Sequence, residues 1–235
     1  MAVDEALYLS VKKGLRDYIF RIYAWDKPSI TLGYFQKKET LSIKKCIKNQ
    51  IPLIRRMTGG RAVYHHNELT YSLILKGEET FLKHKIKLFE ITSQIILAGL
   101  NEMGIHGKIT GRTKGELKNP NCFQSTSLCE IINESGDKIV GSAMLIKRDV
   151  IMRQGSIPLD DSYKQLSSFF ENSSDPYNPP PQLSHEFLQN KGHQFLKGIK
   201  KKITLIESPL SNDENNLIEK LIQEKYTNKE WNFMR

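Results

Sequence analysis

Apolar residues recur at two spacings along this chain, every three to four positions in some stretches and every second position in others. The alternation divides it into elements. Val3, Leu7 and Val11 stand four apart and predict a first amphipathic helix. "DYIFRIYAW" alternates and is rich in β-branched and aromatic residues, as a strand should be, and "SITLGYF" reads as a second strand. Leu41 to Ile47 looks helical, and Ile51 to Ile54 is a short apolar strand that enters the pair Gly59-Gly60. After the glycines, "AVYHH" and "LTYSLIL" read as paired strands. The longest helix should run from about Lys83 to Met103, with Ile86, Phe89, Ile96, Leu97 and Leu100 on its apolar face and Gly104 ending it.

Farther on, "SLCEII" and "KIVGSAML" flank Glu134-Ser135-Gly136-Asp137 and predict a hairpin; "KRD" turns the chain again before "VIMRQGSIPL". The proline-rich "DPYNPPP" separates this region from helical patterns near Ser184 to Leu196 and Asp213 to Tyr226. Runs of strands with helices between groups imply an α+β fold, a mixed or mainly antiparallel central sheet flanked by helices. No internal repeat or shift of composition divides it, so residues 1–235 are expected to form a single domain.

Composition narrows the class. Hydrophobic residues make up 39% and charged residues 26%, ordinary for a soluble globular protein and unlike a disordered one. No stretch approaches the roughly 18 apolar residues of a spanning helix, and Met1 leads into an acidic amphipathic segment, so no membrane partner and a cytoplasmic location are expected. The net charge of +9 favours an anionic partner. Its lysines are scattered and not interleaved with aromatics, so nucleic acid is not the expected one. Three cysteines, Cys46, Cys122 and Cys129, match neither a disulfide framework nor a metal site, and free thiols are expected.

The densest chemistry lies in "RRMTGGRAVYHHNELTYS". Two adjacent glycines let a backbone approach a ligand closely, and Arg55, Arg56 and Arg61 supply fixed positive charge, which suits an acyl chain or a phosphate. The spacing is neither that of a dinucleotide fingerprint nor that of a P-loop, and a plain Gly-Gly turn with solvated arginines remains the competing explanation. His65 and His66 point to opposite faces of a strand, so they do not chelate one metal together, and no metal site is expected. One of them should line a site or satisfy a core hydrogen bond. Cys122 is either a nucleophile or a small buried hydrophobe; Cys129 in an alternating strand and Cys46 on a helix read as core. Lys138, taken alone, reads as an exposed residue after a turn.

Taken together and in order, "MAVDEALY", "TLGYFQ", "RRMTGGRAVYHHNELTYS", "CFQSTSLCEI", "GDKIVGSAM", "RQGSIPL" and "LIQEKYTNKEWN" resemble the lipoate-protein ligase A, octanoyltransferase and biotin ligase superfamily. The resemblance spans nearly the whole chain. It implies a catalytic domain of the biotin/lipoate ligase type, whose central sheet holds an acyl group in a bent tunnel. Within the superfamily, Thr58-Gly59-Gly60-Arg61-Ala62-Val63 and Cys122-Phe123 are similar to the octanoyltransferase branch, whereas ATP-dependent ligases typically carry three glycines and lack the cysteine.

That resemblance implies Cys122 as the acyl-carrying nucleophile and Lys138 as the family's lysine. It places Arg56, Thr58, Gly59, Gly60, Arg61, His65, Gly141, Ser142 and Ala143 on the substrate pocket. It implies transfer of octanoyl from acyl carrier protein to the lysine of a lipoyl-domain protein such as the glycine cleavage H protein, without a cofactor, by a monomer. An ammonium near Cys122 would favour its thiolate and stabilise the oxyanion that forms. Carrier and lipoyl-domain proteins of this kind are acidic, which fits the positive charge. Three departures from the family pattern are expected: His66 stands where Asp is common, a strand before the first helix is expected to be absent, and so is an accessory domain after the last helix. The competing reading is an ATP- and magnesium-dependent lipoate ligase in which Cys122 is incidental, and a third is a non-catalytic subunit that binds a lipoylated partner.

Overall fold

In a computed structural model, residues 1–77, 84–110, 129–147 and 149–235 are described. The chain opens with helix α1 (Ala2–Lys12) and strand β1 (Tyr18–Tyr23), followed by β2 (Ser29–Leu32), α2 (Ile43–Lys48), β3 (Leu53–Arg55), β4 (Val63–His65) and β5 (Glu68–Lys76). The long helix α3 (Lys85–Glu102) ends at Gly104, whose φ of +78° suits the turn that follows. Short strands β6 (Lys108–Ile109) and β7 (Ile131–Ile132) precede β8 (Gly141–Lys147) and β9 (Val150–Pro158). A 3-10 run (Asp161–Phe169) and the helices α4 (His185–Lys200), α5 (Asn212–Leu221) and α6 (Lys229–Asn232) complete the chain.

The strands form an α+β arrangement of the predicted class. β1, β5, β9 and β8 make a fully antiparallel sheet in that order, with β5 and β9 paired from Glu68↔Pro158 to Lys76↔Val150. A second sheet has the order β3-β2-β4 and is mixed, parallel between β2 and β3 and antiparallel between β2 and β4. Period-two alternation sorts the large sheet into two faces. Leu69, Tyr71 and Ile157 pack with Ile96 and Leu100 of α3 and Phe195 and Ile199 of α4. On the opposite face Ile74, Val150 and Met152 lie under Leu7, Tyr8 and Val11 of α1. Farther along that same face the residues turn polar, with Thr70 and Ser72 on β5 and Gln154 and Ser156 on β9, all buried.

Several expectations are corrected. "AVYHH" and "LTYSLIL" do not pair with each other: β4 joins β2 and β5 joins β1 and β9, because the two-residue connection carries the chain from one sheet to the other. The turn at 133–137 forms, with Asn133 N donating to Asp137 O at 2.9 Å and Gly136 at φ +90°, but among the described residues its arms pair through the single bridge Ile132↔Lys138. β8 instead forms its full ladder with β9, from Gly141↔Ser156 to Lys147↔Val150; the turn expected at "KRD" includes Arg148, which lies outside the described residues. Cys129 lies in no strand; it sits before β7 at φ +59°. The last predicted helix stops at Leu221 and passes into a wider turn of π geometry over Ile222–Tyr226.

Candidate active site

The two sheets meet where glycine permits it. A Cβ built on Gly33, just past β2, would stand 1.9 Å from the Gly60 carbonyl oxygen, so only a hydrogen fits between these segments. Gly60 has φ +85°, and its own Cβ would meet Ala143 of β8 at 3.3 Å. The loop thus wedges between β2 and β8. Arg55 and Arg56, successive residues, hold the two contacting segments, Arg56 the glycine loop and Arg55 the segment after β2. Arg56 Nη1 donates to Thr31 O and Oγ1 at 3.2 and 3.1 Å, and its Nη2 donates to Gly59 O and Arg61 O at 2.8 and 2.7 Å. Arg55, fully buried, donates from Nη1 to the carbonyls of Gly33, Tyr34 and Gln36; burial, followed by the Arg235 charge, lowers its pKa. Thr58 Oγ1 donates to Gln154 Oε1 at 2.8 Å, and Gln154 Nε2 to Asp4 Oδ2 at 2.6 Å, which ties the loop to β9 and α1.

Between the sheets lies a cavity of about 30 Å³, lined by Thr31, Arg56 and His65 on one side and by Gly141–Ala143 and Gln154–Ser156 on the other, with Tyr23 and Thr70 at its edge. His65 is fixed within a buried chain of hydrogen bonds. Its Nδ1 lies 2.8 Å from Glu68 Oε1 and its Nε2 2.7 Å from Thr31 Oγ1, while its ring stacks on Trp25 at 4.2 Å. Because the carboxylate accepts, Nδ1 donates to Glu68, while Nε2 faces the Thr31 hydroxyl, which itself accepts from Arg56. Glu68 also accepts from Thr70 and from Ser156 Oγ, the latter at 2.5 Å. The ring is therefore held in one orientation.

Lys138 is buried, not exposed, and its Nζ donates to Glu130 Oε1 at 2.6 Å. It lies three residues before Gly141 in the chain. Burial raises the pKa of Tyr71, opposed by the charges of Arg153 and Lys138, and the Tyr71 ring fills the space beside Gly155 where a side chain would otherwise be. Arg153 Nη2 reaches Ser142 Oγ at 3.1 Å from the α3 side. Cys122 and Phe123 lie outside the described residues. Cys46 packs in the core of the second sheet, where burial pushes its thiol up to about 11, and burial likewise raises the pKa of Cys129.

Of the residues singled out from sequence, Arg56, His65, Gly141, Ser142 and Ala143 come together on the cavity. Thr58, Gly59, Gly60 and Arg61 stand off its wall and shape it instead, through a side chain, a close approach and two accepting carbonyls. His66 faces away, with Nε2 against the Pro180 carbonyl at 3.0 Å, and so anchors the proline-rich segment. Glu68, Gln154, Ser156, Trp25 and Gly33 were missed. A signal existed for three of them, since polar residues at every second position of the buried strands β5 and β9 mark a polar stripe on one face. A second cavity of about 320 Å³ lies between the end of β1 and the start of α4, lined by Ile22, Leu69, Leu188 and Leu196 with His185 and His193, and holds none of the predicted residues. Among the described residues, no helix is long and apolar enough to cross a membrane.

Residues 1–186 match the lipoyl protein ligase A/B catalytic domain. The octanoyltransferase LipM of Halalkalibacterium halodurans is 32% identical over 261 residues, covering 100% of this chain and 94% of that protein. That of Geobacillus kaustophilus is 30% identical over 262 residues, covering 100% and 93%. Among solved structures, lipoate-protein ligase A bound with ATP superposes with a TM-score of 0.77 at 24% identity, over 99% of this chain and 92% of that one, which shows a shared fold. The chain belongs to the lipoyl protein ligase A/B catalytic-domain family and is an acyltransferase.

Proposed function

We propose that the protein transfers octanoyl from octanoyl-acyl carrier protein to the lipoyl-domain lysine of an acceptor such as the glycine cleavage H protein, through a thioester on Cys122. The observation that carries this reading is the buried Lys138 ammonium, held three residues before the Gly141–Ala143 wall of the cavity. Similarity to octanoyltransferases and the Cys122-Phe123 pair support it.

The chemistry needs no nucleotide, because the donor thioester is already activated. A Cys122 thiolate attacks the thioester carbonyl carbon; the new C–S bond forms as the donor's C–S bond breaks, and the carrier leaves as a thiol after taking a proton. The exchange is close to thermoneutral. The neutral amine of the acceptor lysine then attacks the acyl-enzyme. A C–N bond forms, the bond to Cys122 breaks, and the amine's proton returns to the sulfur. Lys138 favours the thiolate and stabilises the oxyanion in both steps. Arg56, His65 and the small residues Gly141 and Ala143 shape the acyl site.

The test is the intact mass of the protein mixed with octanoyl-acyl carrier protein, without nucleotide, beside Cys122→Ser. One octanoyl adduct that hydroxylamine removes and the variant lacks supports the reading. No adduct, with ATP-dependent modification of a lipoyl domain by free acid instead, overturns it in favour of a ligase.

A further inference from the structure

Helix α4 turns one face towards the end of β1 and the start of β5 without closing on them. Leu188, Gly192 and Leu196 stand four apart along that face, and His185, Gln189 and His193 form a second row beside it, so an apolar and a polar stripe run together along a groove. Ile22, Ala24 and Leu69 face the stripes from the sheet side. The space between is about 320 Å³, at the small end of the range of about 300–1,000 Å³ that small-molecule sites occupy. Leu69 and Leu188 are buried while His185, Gln189 and His193 are exposed, which gives an apolar floor and a polar rim. The sheet separates this groove from the cavity described above. Ile22 and Leu69 pack on the side of α3 and α4, whereas Tyr23, next in the chain, reaches Asp4 of α1 on the other side.

A glycine inside a helix is destabilising relative to alanine, so each one calls for a reason. Gly99 of α3 and Gly198 of α4 have one in packing, since a Cβ there would lie 2.5 Å from the Phe195 ring and 2.2 Å from Ala98 O. Gly192 has none of that kind: within 4 Å its Cβ would meet only Ile22 Cδ1, at 3.9 Å across the groove. The missing side chain keeps the groove open at its middle. Its rim offers donors and no acid. His185, Gln189 and His193 make no hydrogen bond to the other described residues, no carboxylate is among the lining side chains, and the chain carries a net charge of +9. His185 is also the first residue of α4, where the helix dipole favours an anion. We propose that this groove binds a medium-chain carboxylate, its head group on His185 and Gln189 and its chain laid over Leu188, Gly192 and Leu196. The site is independent of the transfer reaction proposed above.

Calorimetric titration with octanoate tests the site, with octanol as an uncharged probe of the same length and thermal unfolding measured alongside. Wild type should bind octanoate at a site that Gly192→Leu lacks, because the new side chain projects into the groove. Leucine is the better helix former and its Cβ has room, so the unfolding midpoint should not fall. His185→Ala removes an exposed ring without a hydrogen-bond partner among the described residues and should leave the fold intact. It should weaken octanoate about tenfold or more, as the loss of a hydrogen bond to a charged group does, and change octanol by less than about twofold. Octanoate that binds Gly192→Leu as tightly as wild type lies elsewhere, the cavity between the sheets included, and overturns the proposal. A wild type that binds no octanoate overturns it as well. If Gly192→Leu does not fold, an unchanged octanoate affinity in His185→Ala overturns the proposal, and a loss confined to octanoate supports it.

Discussion

Replacing Gly33 by alanine tests whether the approach of the two sheets builds the site. The added methyl carbon would lie 1.9 Å from Gly60 O and 2.7 Å from Gly60 C. A relaxed carbon–oxygen contact needs about 3.3 Å, so the two segments must part by about 1.4 Å. Both colliding atoms are backbone and have no rotamer to escape into. Gly33 is not in the left-handed region, so space alone strains the variant. Parting the segments pulls on the bonds from Arg55 to Gly33 O and from Arg56 to Gly59 O. Overpacking of this size costs about 1–3 kcal/mol of stability. Arg56 lines the cavity, and a displacement of about 1 Å at a reacting centre costs about 100-fold in rate. A variant that stays folded should therefore still lose most of its activity. Urea denaturation and the rate of acyl-enzyme formation measure the two losses, with Gly59→Ala as a control because its Cβ would meet nothing within 4 Å. A Gly33→Ala protein whose rate lies within about threefold of wild type would refute the reasoning.

Two further predictions concern the frame around the site. Asn232 of α6 accepts from Arg55 N through Oδ1 and donates from Nδ2 to Tyr226 O, both at 2.9 Å, so Asn232→Ala should cost about 1–3 kcal/mol by urea denaturation; an unchanged midpoint would show that water replaces both bonds. Hydrogen bonding from Arg16 holds the Glu214 carboxyl at about 2, against an ordinary value of 4.5. The folded value lies below the unfolded one, so this stabilisation is complete above about pH 4.5 and disappears as pH falls towards about 2. The stability gap between wild type and Glu214→Gln should accordingly shrink over that window, and a gap that does not vary with pH would contradict the assignment.

Local pattern carried a large part of this protein. The spacing of Val3, Leu7 and Val11 announces α1, the alternation in "LTYSLIL" announces β5, and Gly104 marks the end of α3 because only a residue tolerant of positive φ ends a helix in that way. The glycine loop and its arginines were legible as chemistry, because a backbone that must approach another closely demands glycine and a fixed charge demands arginine. Alternation says which residues share a face but not which edge a strand will meet, so the separation of β4 from β5 into two sheets was not legible. Nor was the burial of Lys138, since a lysine after a turn is exposed unless a distant acid draws it in, and Glu130 does so from eight residues away. The chain of Arg56, Thr31, His65 and Glu68 likewise exists only once β2 has paired with β4 and the loop between sheets has folded. Sequence by itself determined most of the elements and part of the residue set of the site. Tertiary structure decided their partners, because a hydrogen bond or an ion pair between distant residues depends on positions that no local periodicity encodes.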